Sequence, residues 1–347
     1  KQSKSSAVSD VDMQKDKIQL YQNQVYVTDN VEGIVPEFLT MLRGVIDSPD
    51  IPLNVSRSYL QADGAVKKIS SYITRKVADK LKSLFNSNRE DFEQKWDDIK
   101  IVIEYGMLSE DKFFEKADAF ALYPTVDGKF FTYEELFNKT KANQTDKDGK
   151  LVILYASNKD TQHSYIESAK AKGYEVLMLD TPIVPHLIQK LESSKENISF
   201  VRVDGDHIDN LIKKDEVAIS KLSEEEKTTL ETLLKETIPS EKFAVQLEAM
   251  DSDASPFIIT QPEFMRRMKE MQQTGGGGMN MFGNMPEMYN LIVNTNSELV
   301  SEILNTKTKK KQERLITQSL DLARLSQGLL KGEELTNFVK RSYEMII

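Results

Sequence analysis

The chain has 347 residues and a mass of 39.6 kDa, which predicts two or three domains rather than one. It carries 46 Lys and Arg against 55 Asp and Glu, a net charge of -9, so its surface as a whole does not attract a polyphosphate backbone and nucleic acid is not expected as a partner. The lack of cysteine excludes disulfides, cysteine zinc sites, iron–sulfur clusters and thiol nucleophiles, and it fits a reducing cytoplasm. No apolar run reaches the roughly 20 residues of a membrane-spanning helix, so no membrane partner is expected.

The first part of the chain is predicted to be mainly helical. Apolar side chains repeat every three or four positions over residues 66–85, which is typical of an amphipathic helix. A second helix is predicted over residues 89–103 and contains Trp96, the single tryptophan. A polar, turn-rich stretch over residues 138–149 indicates a subdomain boundary.

The pattern changes after this boundary. Three apolar runs of strand length alternate with two helical segments, an order that predicts a small layer of parallel strands. The strands are predicted over residues 151–155, 174–179 and 198–203, and the helices over 161–172 and 182–191. Neither glycine-rich phosphate motif follows the first strand, so the layer carries no cofactor signature. The three histidines are too far apart for a local metal motif, and no metal site is predicted.

The last part of the chain is predicted to contain one further strand and several helices. The strand covers residues 243–247, and a glycine-rich segment over residues 275–285 separates it and one helix from a strongly helical end. The final helices are predicted over residues 298–304, 312–329 and 333–345. A C-terminal helical hairpin of this kind is a common dimer element.

The helix predicted over residues 261–273 has an unusual apolar stripe. Methionine is flexible and polarizable, so a stripe rich in it can adapt to many partners, although it can equally pack against its own domain. Trp96 is expected in the core, with partner contact as the second interpretation. The stripe consists of Phe264, Met265, Met268 and Met271.

Residues 44–61 are the most specific part of the sequence. They read GVIDSPDIPLNVSRSYLQ and closely resemble the middle-domain signature of the heat-shock protein 90 family, G-V-V-D-S-x-D-L-P-L-N-x-S-R-E-x-L-Q. Residues 150–191 resemble the small α/β subdomain of bacterial members of the HtpG type, and residues 322–346 resemble the end of their dimerisation domain. Together with a start at Lys1 rather than Met, the resemblance implies a middle plus C-terminal fragment that lacks the N-terminal ATPase domain of a longer parent.

The resemblance also implies a fold and a domain order. We expect an α+β and α/β multidomain chain in which residues 1–65 are a remnant of the large middle subdomain with its arginine loop. A helical segment would follow over residues 66–146, then the small α/β subdomain with a short parallel sheet over 147–212. Residues 213–347 would form an α+β dimerisation domain that ends in a helical hairpin.

The resemblance assigns roles to individual residues. Arg57 would reach the γ-phosphate of a nucleotide held by another domain, and a planar, permanently charged guanidinium suits this contact. Asn54 and Gln61 match polar positions of the same loop, whereas Ser58 stands where the family usually has glutamate. For the apolar stripe defined above, the resemblance favours contact with client proteins.

Two functions remain open at this point. The first is an ATP-dependent chaperone of the stress response that binds unfolded proteins in the cytoplasm and dimerises through its C-terminal helices. The parent would bind ATP and Mg²⁺ and hydrolyse ATP, whereas this chain alone would bind no cofactor and would not hydrolyse ATP. The alternative is a non-catalytic scaffold or oligomerisation module. A small-molecule enzyme has no catalytic constellation to support it.

Overall fold

The computed structural model describes residues 18–29, 33–40, 42–49, 64–215, 218–274 and 288–346. The chain divides into two compact units, which are described separately. The first unit comprises Lys1–Leu122 and Phe130–Glu134, and the second comprises Tyr123–Lys129 and Glu135–Ile347. The four-part domain division expected from the sequence is finer than this and stays a prediction.

The first unit begins with a small mixed sheet. Its strands are β1 (Ile18–Gln22), β2 (Val25–Thr28) and β3 (Gly44–Asp47), in the order β2-β1-β3. β1 pairs antiparallel with β2 and parallel with β3. Asn23 and Gln24 both have positive φ angles, 50° and 68°, as the tight turn between twisted antiparallel strands requires. A short 3₁₀ helix, Glu37–Leu39, precedes β3.

Helices form the rest of the first unit. They are α1 (Gly64–Ser87), α2 (Arg89–Gln94), α3 (Trp96–Ser109) and α4 (Asp111–Ala117), and the short strand β5 (Phe130–Phe131) also belongs to this unit. The predicted helices at 66–85 and 89–103 are confirmed, the second as two helices, α2 and α3. The side chain of Asn88 caps α2 by accepting a hydrogen bond from the Asp91 amide at 3.1 Å.

An aromatic core joins these helices to the 3₁₀ helix. The rings of Phe38 and Phe113 lie 4.7 Å apart, and those of Phe113 and Phe120 lie 5.9 Å apart in an edge-to-face arrangement. Gly106 faces the first of these pairs, where a Cβ atom would lie 2.9 Å from ring atoms of both Phe38 and Phe113. Only a residue without a side chain fits this contact.

The second unit contains the predicted small parallel sheet. Its strands are β6 (Leu151–Ala156), β7 (Val176–Met178) and β8 (Ile198–Arg202), in the order β7-β6-β8 with both pairs parallel. The helices α6 (His163–Ala171), α7 (Val184–Ser194) and α8 (Ile208–Leu211) accompany it, preceded by β4 (Tyr123–Pro124) and α5 (Tyr133–Gln144). β7 and β8 lie on opposite sides of β6, so the crossovers diverge and leave a crevice at the carboxyl ends of β6 and β8.

A second three-stranded sheet follows in the same unit. It consists of β9 (Phe243–Glu248), β10 (Phe257–Thr260) and β11 (Tyr289–Asn294), in the order β10-β11-β9. Only β9 was predicted from the sequence. β10 is four residues long, and β11 follows the glycine-rich segment, which has no strand periodicity. Five helices belong to this part, namely α9 (Glu224–Thr237), α10 (Glu263–Thr274), α11 (Glu298–Asn305), α12 (Lys309–Ser326) and α13 (Gly332–Ile346).

The two sheets of the second unit are joined directly. The hydroxyl of Tyr165 on α6 donates a hydrogen bond to the carbonyl of Ile259 on β10, and burial raises the pKa of this tyrosine. A core of Leu230, Leu291 and Ile316, each fully buried, holds α9 and α12 against the second sheet. The predicted C-terminal helical hairpin is confirmed as α12 and α13.

The glycine contact in the first unit gives a test of its core. We expect Gly106→Ala to destabilise the first unit by up to about 2 kcal/mol, because overpacking costs about 1–3 kcal/mol and the gain in helix propensity returns about 1 kcal/mol. Urea unfolding followed by the fluorescence of Trp96, the only tryptophan, reports on this unit. Gly64→Ala, at a position with no atom within 4 Å of the added carbon, is the control. Equal urea midpoints for Gly106→Ala and Gly64→Ala would contradict the close packing of Phe38 and Phe113 against Gly106.

Candidate functional site

The loop residues with a predicted nucleotide role, Asn54, Arg57 and Gln61, lie outside the described residues, as does Ser58. Their roles stay predictions. The flank of this loop is described and well buried, with Val35 and Phe38 in the core of the first unit. The strand β3 then leads toward the loop in parallel pairing with β1.

Trp96 lies in the core of the first unit. Its side chain is 2% exposed, and its ring centroid lies 6.2 Å from that of Phe92. The core interpretation of this tryptophan is therefore confirmed. Its second interpretation, contact with a partner, does not fit the structure because a partner cannot reach a buried indole without unfolding the helices around it.

The helix with the apolar stripe, α10, begins directly after β10. Pro262 precedes its first residue, and the Arg266 amide donates to the Pro262 carbonyl at 3.1 Å. The backbone amide of Gln261 donates to the carbonyl of Asp204, next to the end of β8, at 3.2 Å. The start of α10 is thus attached to both sheets of the second unit.

The two faces of α10 are inverted relative to those of an ordinary surface helix. Phe264 is 73% exposed and Met268 is 37% exposed, whereas Arg266 is only 7% exposed. The side chains of Met265 and Met271 lie outside the described residues. Amphipathic helices of soluble domains normally turn the apolar face to the core and the charged face to water. For Phe264 and Met268, packing on their own domain, the alternative left open by the sequence, is not what the structure shows.

Arg266 is the most deeply buried of the charged side chains that the structure describes on α10. Its Nη2 donates to the hydroxyl of Tyr155 on β6 at 2.8 Å and to Glu263 Oε1 at 2.6 Å, while its Nη1 donates to Glu270 Oε2 at 2.6 Å. The guanidinium carbon also lies 5.8 Å from the centre of the Tyr155 ring. Charge pairing and hydrogen bonding together offset the large desolvation cost of placing an arginine in the interior.

Arg267 extends the same network to α7 and to the backbone of β8. Its Nη1 donates to Glu192 Oε2 on α7 at 2.9 Å, and its Nε donates to Glu263 Oε1 at 2.6 Å. Its Nη2 donates to the carbonyl of Phe200 on β8. Arg267 therefore contacts a strand and a helix of the α/β layer as well as its own helix.

Arg202, at the end of β8, is the third arginine of the network. Its guanidinium pairs with both carboxylate oxygens of Asp204, at 2.5 and 2.9 Å, and with Gln261 Oε1 at 3.1 Å. Its Nη1 donates to Glu270 Oε1 at 2.9 Å. We use the name arginine network for Arg202, Arg266, Arg267, Asp204, Glu192, Glu263 and Glu270.

The environment of the network shifts several pKa values. Burial and the nearby Glu263 raise the pKa of Tyr155 to about 12, against the opposing effect of Arg266. Burial also acts against the charge of Arg266, but Tyr155, Glu263 and Glu270 outweigh it and the pKa of Arg266 is raised. Tyr155 is therefore a neutral hydrogen-bond acceptor for a permanently charged arginine throughout the physiological range.

Sequence analysis did not assign a role to these charged residues. One signal was present in the spacing, since Glu263 precedes Arg266 and Arg267 by three and four residues and Glu270 follows Arg266 by four. The partners on β6, α7 and β8 depend on tertiary structure.

A second apolar surface lies on the C-terminal hairpin. Its exposed side chains recur at helical spacing, three residues apart on α12 and three or four apart on α13. We use the name hairpin face for five side chains that are 41–81% exposed, namely Leu322, Leu325, Val339, Tyr343 and Ile346. The buried Asp321 on α12 pairs with Arg324 of the same helix at 3.0 Å and with Arg341 on α13 at 2.5 Å, and the second pair joins the two helices of the hairpin.

The described residues contain neither a metal-binding cluster nor a membrane-spanning helix. No group of three or more histidine, aspartate or glutamate side chains is arranged to hold a metal ion in this part of the chain. None of its helices combines the length and the apolar character needed to cross a membrane.

Comparison with known proteins connects these features to one family. The family model described as Hsp90 protein matches residues 1–347. The "Chaperone protein htpG" of Bacteroides fragilis is 44% identical over 97% of this chain, and the "Chaperone protein HtpG" of Porphyromonas gingivalis is 42% identical over the same share. The "Chaperone protein HtpG" of Mycobacterium tuberculosis is 34% identical over 48% of the chain.

The chain matches only part of each relative. It covers 59% of the length of the Bacteroides and Porphyromonas proteins and 26% of the Mycobacterium protein. The Bacteroides alignment extends over 405 positions, more than the 347 residues of this chain, so that relative carries inserted residues within the matched region. The match of the family model to the whole chain, with 44% identity over 97% of it, shows that the chain belongs to the heat-shock protein 90 family.

Proposed function

We propose that this chain is the client-binding and dimer-forming part of an ATP-dependent molecular chaperone of the heat-shock protein 90 type. The family membership and the names of the relatives, which are all called chaperones, support this proposal. We place the protein in the cytoplasm, because a chain without cysteine forms no disulfides and does not need an oxidising compartment to fold.

The inverted helix α10 is the observation that carries the proposal. A phenylalanine that is 73% exposed and a neighbouring half-exposed methionine on the next turn form an apolar surface that the domain itself does not cover. Leaving such groups in water forgoes roughly 1.5–3 kcal/mol for each large side chain, so a binding role gives the arrangement a purpose. Methionine adapts its shape to different partners, which suits binding of many unfolded sequences.

The nucleotide role of the chain rests on Arg57. In the proposal, Arg57 contacts the γ-phosphate of ATP bound with Mg²⁺ in a separate domain, and Asn54 and Gln61 support the loop. A guanidinium can hold two phosphate oxygens at once and stabilises the charge that develops during phosphoryl transfer. The chain alone would not hydrolyse ATP, because its contribution is one side of the nucleotide site.

The hairpin face gives the chain a surface for a second copy of itself. Five exposed apolar side chains on two packed helices would be covered in a symmetric contact between two hairpins. Dimerisation alone would also suit the scaffold alternative. That alternative makes no use of the exposed side chains of Phe264 and Met268 on α10, and client binding therefore separates the two functions.

The first prediction concerns client binding. We expect Phe264→Ser combined with Met268→Ser to raise the concentration of chain that half-suppresses aggregation of heat-denatured citrate synthase by about fivefold or more, because central apolar contacts dominate binding energy. Ile219→Ser, at an apolar residue that is 87% exposed elsewhere in the second unit, is the matched control. A wild-type chain that fails to suppress aggregation would favour the scaffold.

The second prediction concerns the arginine loop. In a protein that joins this chain to the preceding part of a Bacteroides relative, we expect Arg57→Ala to lower the ATP turnover rate by about a hundredfold, as loss of one preorganised donor to a transition-state charge does. Arg75→Ala, at an exposed arginine on α1, should leave the rate unchanged. Turnover that persists in the Arg57 variant would remove this residue from the mechanism.

The third prediction concerns assembly. Sedimentation of the chain at micromolar concentration should show a dimer, and Tyr343→Asp should convert it to a monomer because a buried unpaired carboxylate is costly. Tyr72→Asp, at a tyrosine of comparable exposure on α1, should keep the dimer. A wild-type monomer under these conditions would contradict the proposed role of the hairpin face.

A further inference from the structure

The carboxyl end of the small parallel sheet is occupied by the chain's own charged side chains. In open α/β sheets, ligands bind in the crevice at the carboxyl ends of the two strands where the crossovers diverge. Here those strands are β6 and β8, and the crevice contains Arg202 and Asp204 from the β8 end together with Arg266 and Glu270 from α10. Where other folds hold a cofactor, this layer holds a helix.

Glu270 has a special position among these groups. One of its carboxylate oxygens, Oε1, accepts from Arg202 at 2.9 Å, and the other, Oε2, accepts from Arg266 at 2.6 Å. Arg202 belongs to the α/β layer and Arg266 belongs to α10. Glu270 is therefore the carboxylate through which the two arginines are joined, and it carries the negative charge that lets two guanidinium groups approach the same point.

Glu263 makes a different kind of contact. Its Oε1 accepts from both Arg266 and Arg267, which lie three and four residues further along the same helix. These contacts stiffen α10 and orient its arginines, but they do not connect the helix to the sheet. The chain thus offers two glutamates on one helix, one with contacts within the helix and one that links the helix to another element.

We propose that Glu270 is a positioning residue, whose bridge between Arg202 and Arg266 locks α10 onto the α/β layer and holds Phe264 and Met268 toward the client. The lock couples the α/β layer to the client surface, because it joins the Arg202 guanidinium at the end of β8 to α10, in addition to the contacts that Arg267 makes with Glu192 and Phe200. Loss of the bridge removes the ion pair between Arg202 and α10 and leaves the helix held to the layer by Arg266 and Arg267. The role of Glu270 in client affinity rests on the proposed function, whereas its role as a lock does not.

The substitution Glu270→Gln tests the lock without creating a cavity. The amide keeps the size of the side chain, but it presents one acceptor and one donor, so an NH₂ group must face one of the two guanidinium groups. In Glu263→Gln the amide oxygen can still accept from both arginines. Glu236→Gln breaks an exposed pair with Lys309 and serves as the surface control.

Hydrogen exchange of the full chain gives the first measurement. We expect the backbone amides of α10 to exchange about tenfold faster in Glu270→Gln, with β9 and β11 unchanged, because the helix opens locally while the sheet stays folded. Glu263→Gln should have a smaller effect, and Glu236→Gln should leave α10 unchanged. Two results would overturn the lock. In Glu270→Gln, the α10 amides could exchange at the wild-type rate, or the amides of β9 and β11 could be accelerated as much as those of α10.

Binding of an unfolded protein gives the second measurement. We expect the affinity for reduced, carboxymethylated α-lactalbumin to fall about tenfold in Glu270→Gln and to stay at the wild-type value in Glu236→Gln. A loosened α10 with unchanged affinity would overturn the positioning role while leaving the lock. A wild-type chain that does not bind this protein would instead contradict the proposed function, and the exchange result would stand on its own.

Discussion

The structure of the second unit depends on three arginines, two buried and one partly buried, that pack against a three-stranded sheet. Removing a charge from water costs on the order of several kcal/mol even after relaxation, so each guanidinium must find carboxylates and hydrogen-bond acceptors at short range. The arginines are paired with four carboxylates, the Tyr155 hydroxyl and a backbone carbonyl. These groups belong to β6, α7 and the β8 region of the α/β layer and to α10 itself. This requirement fixes where α10 can lie.

The position of α10 explains its exposed apolar face. With the arginines and Glu270 turned inward, Phe264 and Met268 must point away from the domain. In most surface helices the apolar side faces the core and the charged side faces water. Here the orientation is reversed, because the ion pairs and the Tyr155 hydrogen bond fix the charged side in one position, whereas burial of the apolar side would not be directional. Stability of the fold and presentation of an adhesive surface thus follow from the same contacts.

The sequence predicted much of the architecture and little of this arrangement. The parallel strands, the C-terminal hairpin and the helix with the methionine stripe follow from local periodicity, and the arginine-loop motif identified the family. The inversion of α10 does not follow, because the pattern of Phe264, Arg266 and Met268 shows two faces and cannot say which is buried. That choice is made by Tyr155, Glu192 and Arg202, which lie 60 or more positions away in the sequence. The strands β10 and β11 were missed for a related reason, since β11 is defined by its pairing with β9 on one side and with the four-residue β10 on the other.

The central claim, that α10 presents its apolar face to unfolded proteins, can be tested directly by methionine methyl NMR. The chain has 13 methionines, and Met107 and Met250 are 1% and 2% exposed while Met268 is 37% exposed. Titration with reduced, carboxymethylated α-lactalbumin should shift or broaden the Met268 methyl resonance and leave those of Met107 and Met250 in place. Binding that leaves the Met268 resonance unchanged would contradict the account.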